Sequence, residues 1–244
     1  MPELALQLGL SMTALQASIG ALNDLHDAPD DAGRKPGKPI PAGLVSVPLA
    51  WAVVVGGAAI GIVLAATVDG RVGTLAVVVL LIGYGYDVVA KGTAWSWLPF
   101  AIGIPILPVY GWLGAASELP AFFAALVPMA VLAGAALSIA NARADLERDL
   151  AAGSVSVATR LGLEGSWRLH AVLWGLTAVV ALGWVAFRDV GLAGAAPVLV
   201  GAGLIAVAVG WSRRRGPDGR ERGWEFEAAA AALALLAWLG VAVR

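Results

Sequence analysis

Stretches of apolar sequence long enough to cross a lipid bilayer recur along this chain, and they limit its fold more than any other feature. A hydrocarbon core of about 30 Å needs roughly 20 apolar residues in helical form. Segments of that kind lie near 4–23, 44–68, 72–89, 95–114, 119–141, 167–187, 190–211 and 224–243. Lipid offers no water to satisfy backbone N–H and C=O groups, so spans of this length must be helices. Composition agrees: hydrophobic residues make up 59% of the 244 residues and charged ones only 14%, against roughly 25% charged in soluble domains. The sequence therefore predicts an all-α, polytopic membrane bundle of about eight transmembrane helices. Pro99, Pro105 and Pro108 are expected to kink the fourth span, which neighbouring helices make tolerable. Abundant glycine and alanine allow the helices to pack closely.

Charge gives the orientation. Of the 16 lysines and arginines, all but Arg71, Arg188 and Arg244 fall on the side formed by the connections 24–43, 90–94, 142–166 and 212–223. The positive-inside rule makes that side cytoplasmic, in the cell membrane. An even number of spans then puts both termini outside. No basic residues precede the first apolar stretch, so it reads as a mature span and not a signal peptide. Cysteine is absent, which excludes disulfides, thiolate chemistry and Cys-ligated metal centres. With His26 and His170 the only histidines, any metal site must rest on oxygen, as suits Mg2+, with Mn2+ an alternative. Membrane lipid is an expected partner and nucleic acid is not.

Asparagine occurs at two positions, and each opens the same pattern. Asn23, Asp27 and Asp31 are spaced N-x3-D-x3-D; Asn141, Asp145 and Asp149 repeat that spacing 118 residues later. Four residues is about one helical turn, so each triplet falls near one helical face. One such pattern at a helix end reads as a solvated terminus. Two, ending the first and fifth spans on the same side and using every asparagine, read as a site. Two faces turned toward each other would form a ring of carboxylate and amide oxygens able to hold divalent cations. The repeat suggests two four-helix halves in parallel orientation, about 1–114 and 115–244.

Asp24, Asp27, Asp30, Asp31, Asp145, Glu147 and Asp149 concentrate negative charge at this mouth, with Arg34, Lys35, Lys38, Lys91 and Arg143 nearby. Mg2+ is typically held by one or two carboxylates together with substrate phosphates. Acids for metal beside bases for anion fit a substrate bearing a diphosphate. Pro29 disfavours helix at Ala28, so the first helix is expected to end near Asp27. Asp31 would then come from a turn, where Asp30 could replace it. Lys91 alone reads equally as a snorkelling anchor or a ligand. Tyr84, Tyr86, Trp95 and Trp97 read as an interfacial belt, Arg213–Arg215 as a topological anchor, and His26 as an exposed bystander.

These residues resemble the UbiA superfamily of intramembrane prenyltransferases. The segment from Asn23 to Asp31 resembles its first aspartate-rich motif, and Lys35-Pro36-Gly37-Lys38-Pro39-Ile40-Pro41-Ala42-Gly43 the basic turn that follows. Tyr86 and Lys91 match the family's Tyr-x4-Lys. Asn141 through Asp149, followed by Thr159-Arg160-Leu161-Gly162, resemble the second motif and its trailing segment. The family usually has nine membrane helices with motif one on the second. Here motif one ends the first, so an N-terminal helix is expected to be missing, through a truncated start or genuinely.

The resemblance implies Mg2+-dependent transfer of a prenyl chain from a polyprenyl diphosphate to a hydrophobic acceptor, aromatic or lipid. It implies metal held by Asp27, Asp31, Asp145 and Asp149, and catalysis by Asp27, Asp145 and Lys91. It further implies substrate binding by Asn23, Arg34, Lys38, Tyr86, Asn141 and Arg143. The rivals are a catalytically impaired prenyl-lipid-binding relative and a CDP-alcohol-type lipid phosphotransferase. The latter needs Asp-Gly-x2-Ala-Arg, which the sequence lacks. A cation transporter would place its carboxylates nearer mid-membrane.

Overall fold

The computed structural model of the chain describes residues 2–35 and 37–243, with the side chain of Arg34 outside that description. Among these residues the regular elements are all helical. They are α1 (Pro2–Arg34), α2 (Val47–Ala66), α3 (Gly70–Gly85, prolonged by a π-helical turn over Tyr86–Ala90) and α4 (Leu98–Ala115). After these come α5 (Phe123–Ala144), α6 (Leu146–Ala152), α7 (Val157–Phe187), α8 (Gly191–Ser212) and α9 (Pro217–Ala242). All except the short α6 are long and apolar enough to cross a membrane, giving eight spans. The protein is an integral membrane protein.

Three spans run past their apolar stretches. α1 reaches Arg34, α7 begins at Val157, and α9 begins at Pro217. Apolarity marks the part of a helix that lipid covers, whereas the helix itself stops where its caps are. At α7 that cap is a capping box, with Ser156 and Thr159 each accepting from the other's backbone N–H, which satisfies two otherwise orphaned donors. The expected break of α1 near Asp27 does not occur. Pro29 sits inside the helix and removes a single N–H donor. Helical bonding resumes beyond it, the Lys35 N–H donating to the Asp31 carbonyl at 2.7 Å.

The chain forms two compact units. The first comprises Met1–Lys91 with Ile106–Leu119, and the second Gly92–Pro105 with Pro120–Arg244. The division within α4 falls at Pro105.

In the first unit α1 lies close against α2, because Gly57 and Gly61 present bare backbone. A Cβ on Gly57 would stand 2.7 Å from the Ala14 carbonyl oxygen, and one on Gly61 2.6 Å from the Leu15 side chain. Polar side chains of α1 use that closeness. Gln7 donates to the Leu64 carbonyl at 3.0 Å, Ser11 to Gly61 at 2.7 Å and Ser18 to Val54 at 2.5 Å. The Ser11 hydroxyl also bonds the Tyr110 hydroxyl, and Ser18 that of Tyr84, each at 2.6 Å. In lipid, close packing and interhelical hydrogen bonds of this sort hold helices together. Around them Leu15, Ala65, Val72, Ala76, Leu80 and Tyr110 form the core.

The second unit packs around Ala136, Trp174, Ile205, Val209 and Ala230. Close backbone contact recurs: a Cβ on Gly134 would meet the Phe100 carbonyl oxygen at 2.6 Å. Trp238 is buried and donates to the Ala181 carbonyl at 3.1 Å. This interior also holds polar side chains. Glu227 is fully buried, accepts from Trp174 at 3.1 Å, and lies 3.4 Å from the equally buried His170.

Candidate active site

The first motif occupies the last turns of α1, where Asn23, Asp27 and Asp31 share a face. Beyond α1 the chain folds tightly over 37–45, with Ala42 N–H bonded to the Lys38 carbonyl at 2.9 Å and Leu44 N–H to the Pro39 carbonyl at 2.9 Å. Gly43 adopts φ +70°, a conformation that glycine alone takes without strain. This turn brings Lys38 back onto the helix it followed. Its Nζ lies 2.6 Å from Asp31, 3.2 Å from Asp24 and 3.8 Å from Asp27. The hydrogen bond to Asp31 is the main influence holding the Lys38 ammonium above its usual value, against the partial burial that opposes it.

A second ammonium reaches the same helix from α3. The π-helical turn over Tyr86–Ala90 closes with Lys91 N–H bonded to the Tyr86 carbonyl at 2.8 Å. Lys91 Nζ then stands 2.5 Å from Asp27 Oδ2. One turn earlier, Asn23 donates its amide to buried Asp87 at 2.8 Å. Asp31 is buried against Lys38, whereas Asp30 and His26 are exposed. Thus Asp31, not its neighbour, joins the cluster.

The second motif is built differently. α5 ends at Ala144, and Asp145 (φ −90°, ψ 0°) forms the joint with α6. Asp145 pairs with exposed Arg148. Asp149 is half-buried on α6, and burial is the largest influence raising its carboxyl above the usual range. A hydrogen bond with Ser156 opposes that shift and the neighbouring Asp145 adds to it. The joint itself is clamped by buried Arg220 of α9. Its Nε donates to the Arg143 carbonyl at 2.7 Å, Nη1 to the Arg215 carbonyl at 2.8 Å, and Nη2 to the Glu147 carboxylate. Asn141 is exposed, while Arg143 is almost wholly buried in the second unit, where Glu227 supplies opposite charge. Beyond α6 the chain turns through Gly153 (φ +65°), and Gly162 (φ +68°, ψ 178°) interrupts the start of α7.

Each motif therefore presents oxygen donors, the ligand type that hard divalent cations take. In the first, three carboxylates already converge on one positive centre, the Lys38 ammonium. Among the described residues no three acidic or histidine side chains gather around a metal-sized point.

The family model of UbiA prenyltransferases matches residues 1–236. The chain belongs to the UbiA prenyltransferase family. No curated protein sequence matches it. Solved structures share its fold. A UbiA homolog from Aeropyrum pernix K1 in apo form is 19% identical, with a TM-score of 0.75 over 96% of this chain and 88% of that one. A UbiA homolog from Archaeoglobus fulgidus bound to GPP and Mg2+ is 20% identical, with a TM-score of 0.71 over 98% and 88%. A structure giving insights into digeranylgeranylglyceryl phosphate synthase in membranes is 16% identical, with a TM-score of 0.78 over 100% and 87%.

In this UbiA member, sequence reasoning reached Asn23, Asp27, Asp31, Lys38 and Lys91, which the fold gathers in the first unit. It reached Asn141, Asp145 and Asp149, which lie along the α5–α6 joint. Tyr86 is half-buried in the π-helical turn. Arg34 was singled out for its charge, and its side chain lies outside the described residues. Asp87 and Arg220 were missed. An acid inside an apolar run is the available signal for Asp87; in the sequence Arg220 counts only among the basic residues of the motif-bearing side.

Proposed function

We propose that this protein transfers a prenyl chain from a polyprenyl diphosphate to a hydrophobic acceptor, aromatic or lipid, with Mg2+. The observation that carries this reading is the interleaving of Asp24, Asp27 and Asp31 with Lys38 and Lys91 in a UbiA family member. The Archaeoglobus fulgidus homolog bound to GPP and Mg2+ supports it. Asp27 and Asp31 of the first motif and Asp145 and Asp149 of the second would hold the metal.

Bound Mg2+ supplies charge that stabilises the departing diphosphate. Lys38 and Lys91 would donate charge-assisted hydrogen bonds to phosphate oxygens. The bond between C1 of the prenyl chain and oxygen breaks, the electron pair leaving with diphosphate. A water-poor chamber protects the resulting allylic cation. An electron-rich acceptor attacks C1 and loses a proton. The lysine and arginine asymmetry supports a cytoplasmic mouth in the cell membrane.

The test incubates purified protein with radiolabelled prenyl diphosphates and candidate acceptors, with Mg2+ or EDTA. The expected result is labelled product with Mg2+, none with EDTA, and recovery on Mg2+ addition. Binding of the prenyl diphosphate without turnover, across a broad acceptor panel, would mark a non-catalytic prenyl-lipid binder and overturn the enzyme reading.

A further inference from the structure

The ends of α1 and α3 meet in two rungs of equal register. Asn23 bonds Asp87 at 2.8 Å, and Asp27 pairs with Lys91 at 2.5 Å, each pair 64 residues apart in sequence. The π-helical turn over Tyr86–Ala90 carries Asp87 and leads directly into Lys91, and such widened turns are frequent at functional sites. The Lys91 rung belongs to the machinery already described. Asp87 has no role in it.

An asparagine side chain has two unlike ends, a donating NH2 and an accepting oxygen. Only the oxygen can ligate a cation. Because Asp87 offers a carboxylate oxygen, the Asn23 nitrogen is committed to it and the Asn23 oxygen is left as the free end. Asn23 stands one helical turn before Asp27 on the same face of α1, so that oxygen belongs to the row of metal donors. Asp87 is only 2% exposed, and its second oxygen has no hydrogen-bond partner. A buried acceptor left unpaired weakens the fold and calls for an explanation other than stability.

We propose that Asp87 is a positioning residue that locks the Asn23 amide so that its carbonyl oxygen faces the divalent cation held with Asp27. This rests on the metal reading of the proposed function. Asp87 touches neither metal nor substrate; it acts through Asn23 as an outer-shell partner, the kind whose loss typically weakens metal affinity about 10–100-fold.

The experiment titrates the purified full chain with Mn2+, reading free ion by electron paramagnetic resonance. Asp87→Asn keeps the shape but can donate to the Asn23 oxygen as well as accept from its nitrogen, so the amide loses its fixed sense. The expected result is a Kd raised about tenfold, with a thermal midpoint equal to or above that of the parent. A residue serving packing alone would lower the midpoint and leave the Kd unmoved. Asn23→Ala should weaken Mn2+ comparably, and the Asn23→Ala, Asp87→Asn double variant should be no weaker than Asn23→Ala, since coupled residues are non-additive. If Asp87→Asn folds poorly, Asp87→Ala, which offers no acceptor, takes its place in the same cycle. An unchanged Kd in the Asp87 variant, or fully additive losses, overturns this proposal and leaves the prenyltransferase reading standing. Failure of the parent chain to bind Mn2+ overturns both.

Discussion

The two aspartate motifs share a spacing but are held by different parts of the chain's chemistry. In the first, side chains hold side chains: Lys38 and Lys91 sit among Asp24, Asp27 and Asp31. In the second, an arginine holds the backbone, Arg220 bonding the Arg143 carbonyl beside the joint at Asp145. The carboxylates of the first are compensated before any metal arrives. Those of the second have exposed Arg148 on Asp145, and on Asp149 a burial that opposes charge. A repeated sequence pattern thus fixes where acids stand on a helix and leaves their electrostatic state to tertiary neighbours.

The largest expected effect tests whether the two regions are equal partners despite this difference. Asp27→Ala and Asp145→Ala should each reduce turnover about 100-fold or more, the usual scale for losing a key charge stabiliser. Both variants should keep the parent's size-exclusion profile in detergent. If either retained more than about a tenth of the parent's turnover, that aspartate would have no place among the metal ligands.

Next in size come the supports. Arg220→Gln strands the buried Arg143 carbonyl and should destabilise the protein by about 1–3 kcal/mol, measured by denaturation in detergent. Lys38→Gln should also destabilise it, by leaving the carboxylates around Lys38 to repel one another. The contrast lies in rescue. Millimolar Mg2+ should restore the Lys38 variant, because a divalent ion can replace an ammonium among carboxylates. It should leave the Arg220 variant unrestored, because no cation replaces a donor aimed at a carbonyl. Equal rescue of both would erase the distinction between the two regions.

Much of this was legible in the sequence. The spans follow from the physics of lipid, and the helical period placed Asn23, Asp27 and Asp31 on one face. Hidden were the choices that depend on a partner. Nothing local in Tyr86–Ala90 announces a π-helical turn, yet that turn brings Asp87 to Asn23 and leads into Lys91. The sequence sets Arg143 between Asn141 and Asp145 but does not show that its side chain is buried. A side chain's direction, however, is set by which helix packs against it, and α9 supplies Glu227. Pro29 misled in the opposite sense: near a helix end, one missing donor costs too little to stop the helix.

The smallest effect is a matter of pH. Asp149 is held above the usual carboxylate range by burial, so the folded state favours its protonated form more than the unfolded chain does. The stability this contributes is present below about pH 4 and is lost as pH rises through the elevated folded value. At neutral pH the ionised group therefore works against the metal-free fold. Asp149→Asn should raise the thermal midpoint by about 1–3 °C at pH 7 while lowering turnover. The gain should shrink as the pH is lowered toward 4. A lower midpoint at pH 7 would mean that the second region compensates its acids as fully as the first.

The ladder from Gln7, Ser11 and Ser18 to the carbonyls of α2 bears on how the protein is made. Of the eight spans, α1 has the lowest mean hydropathy, and Gln7, Ser11 and Ser18 reach those carbonyls once α2 lies beside it. Without α2 beside it, each unpaired polar group that α1 carries into lipid costs about 1–3 kcal/mol. The two should therefore enter the bilayer together, as a hairpin. Stalling translation before Val47 would leave α1, and the aspartate motif at its end, at the membrane surface.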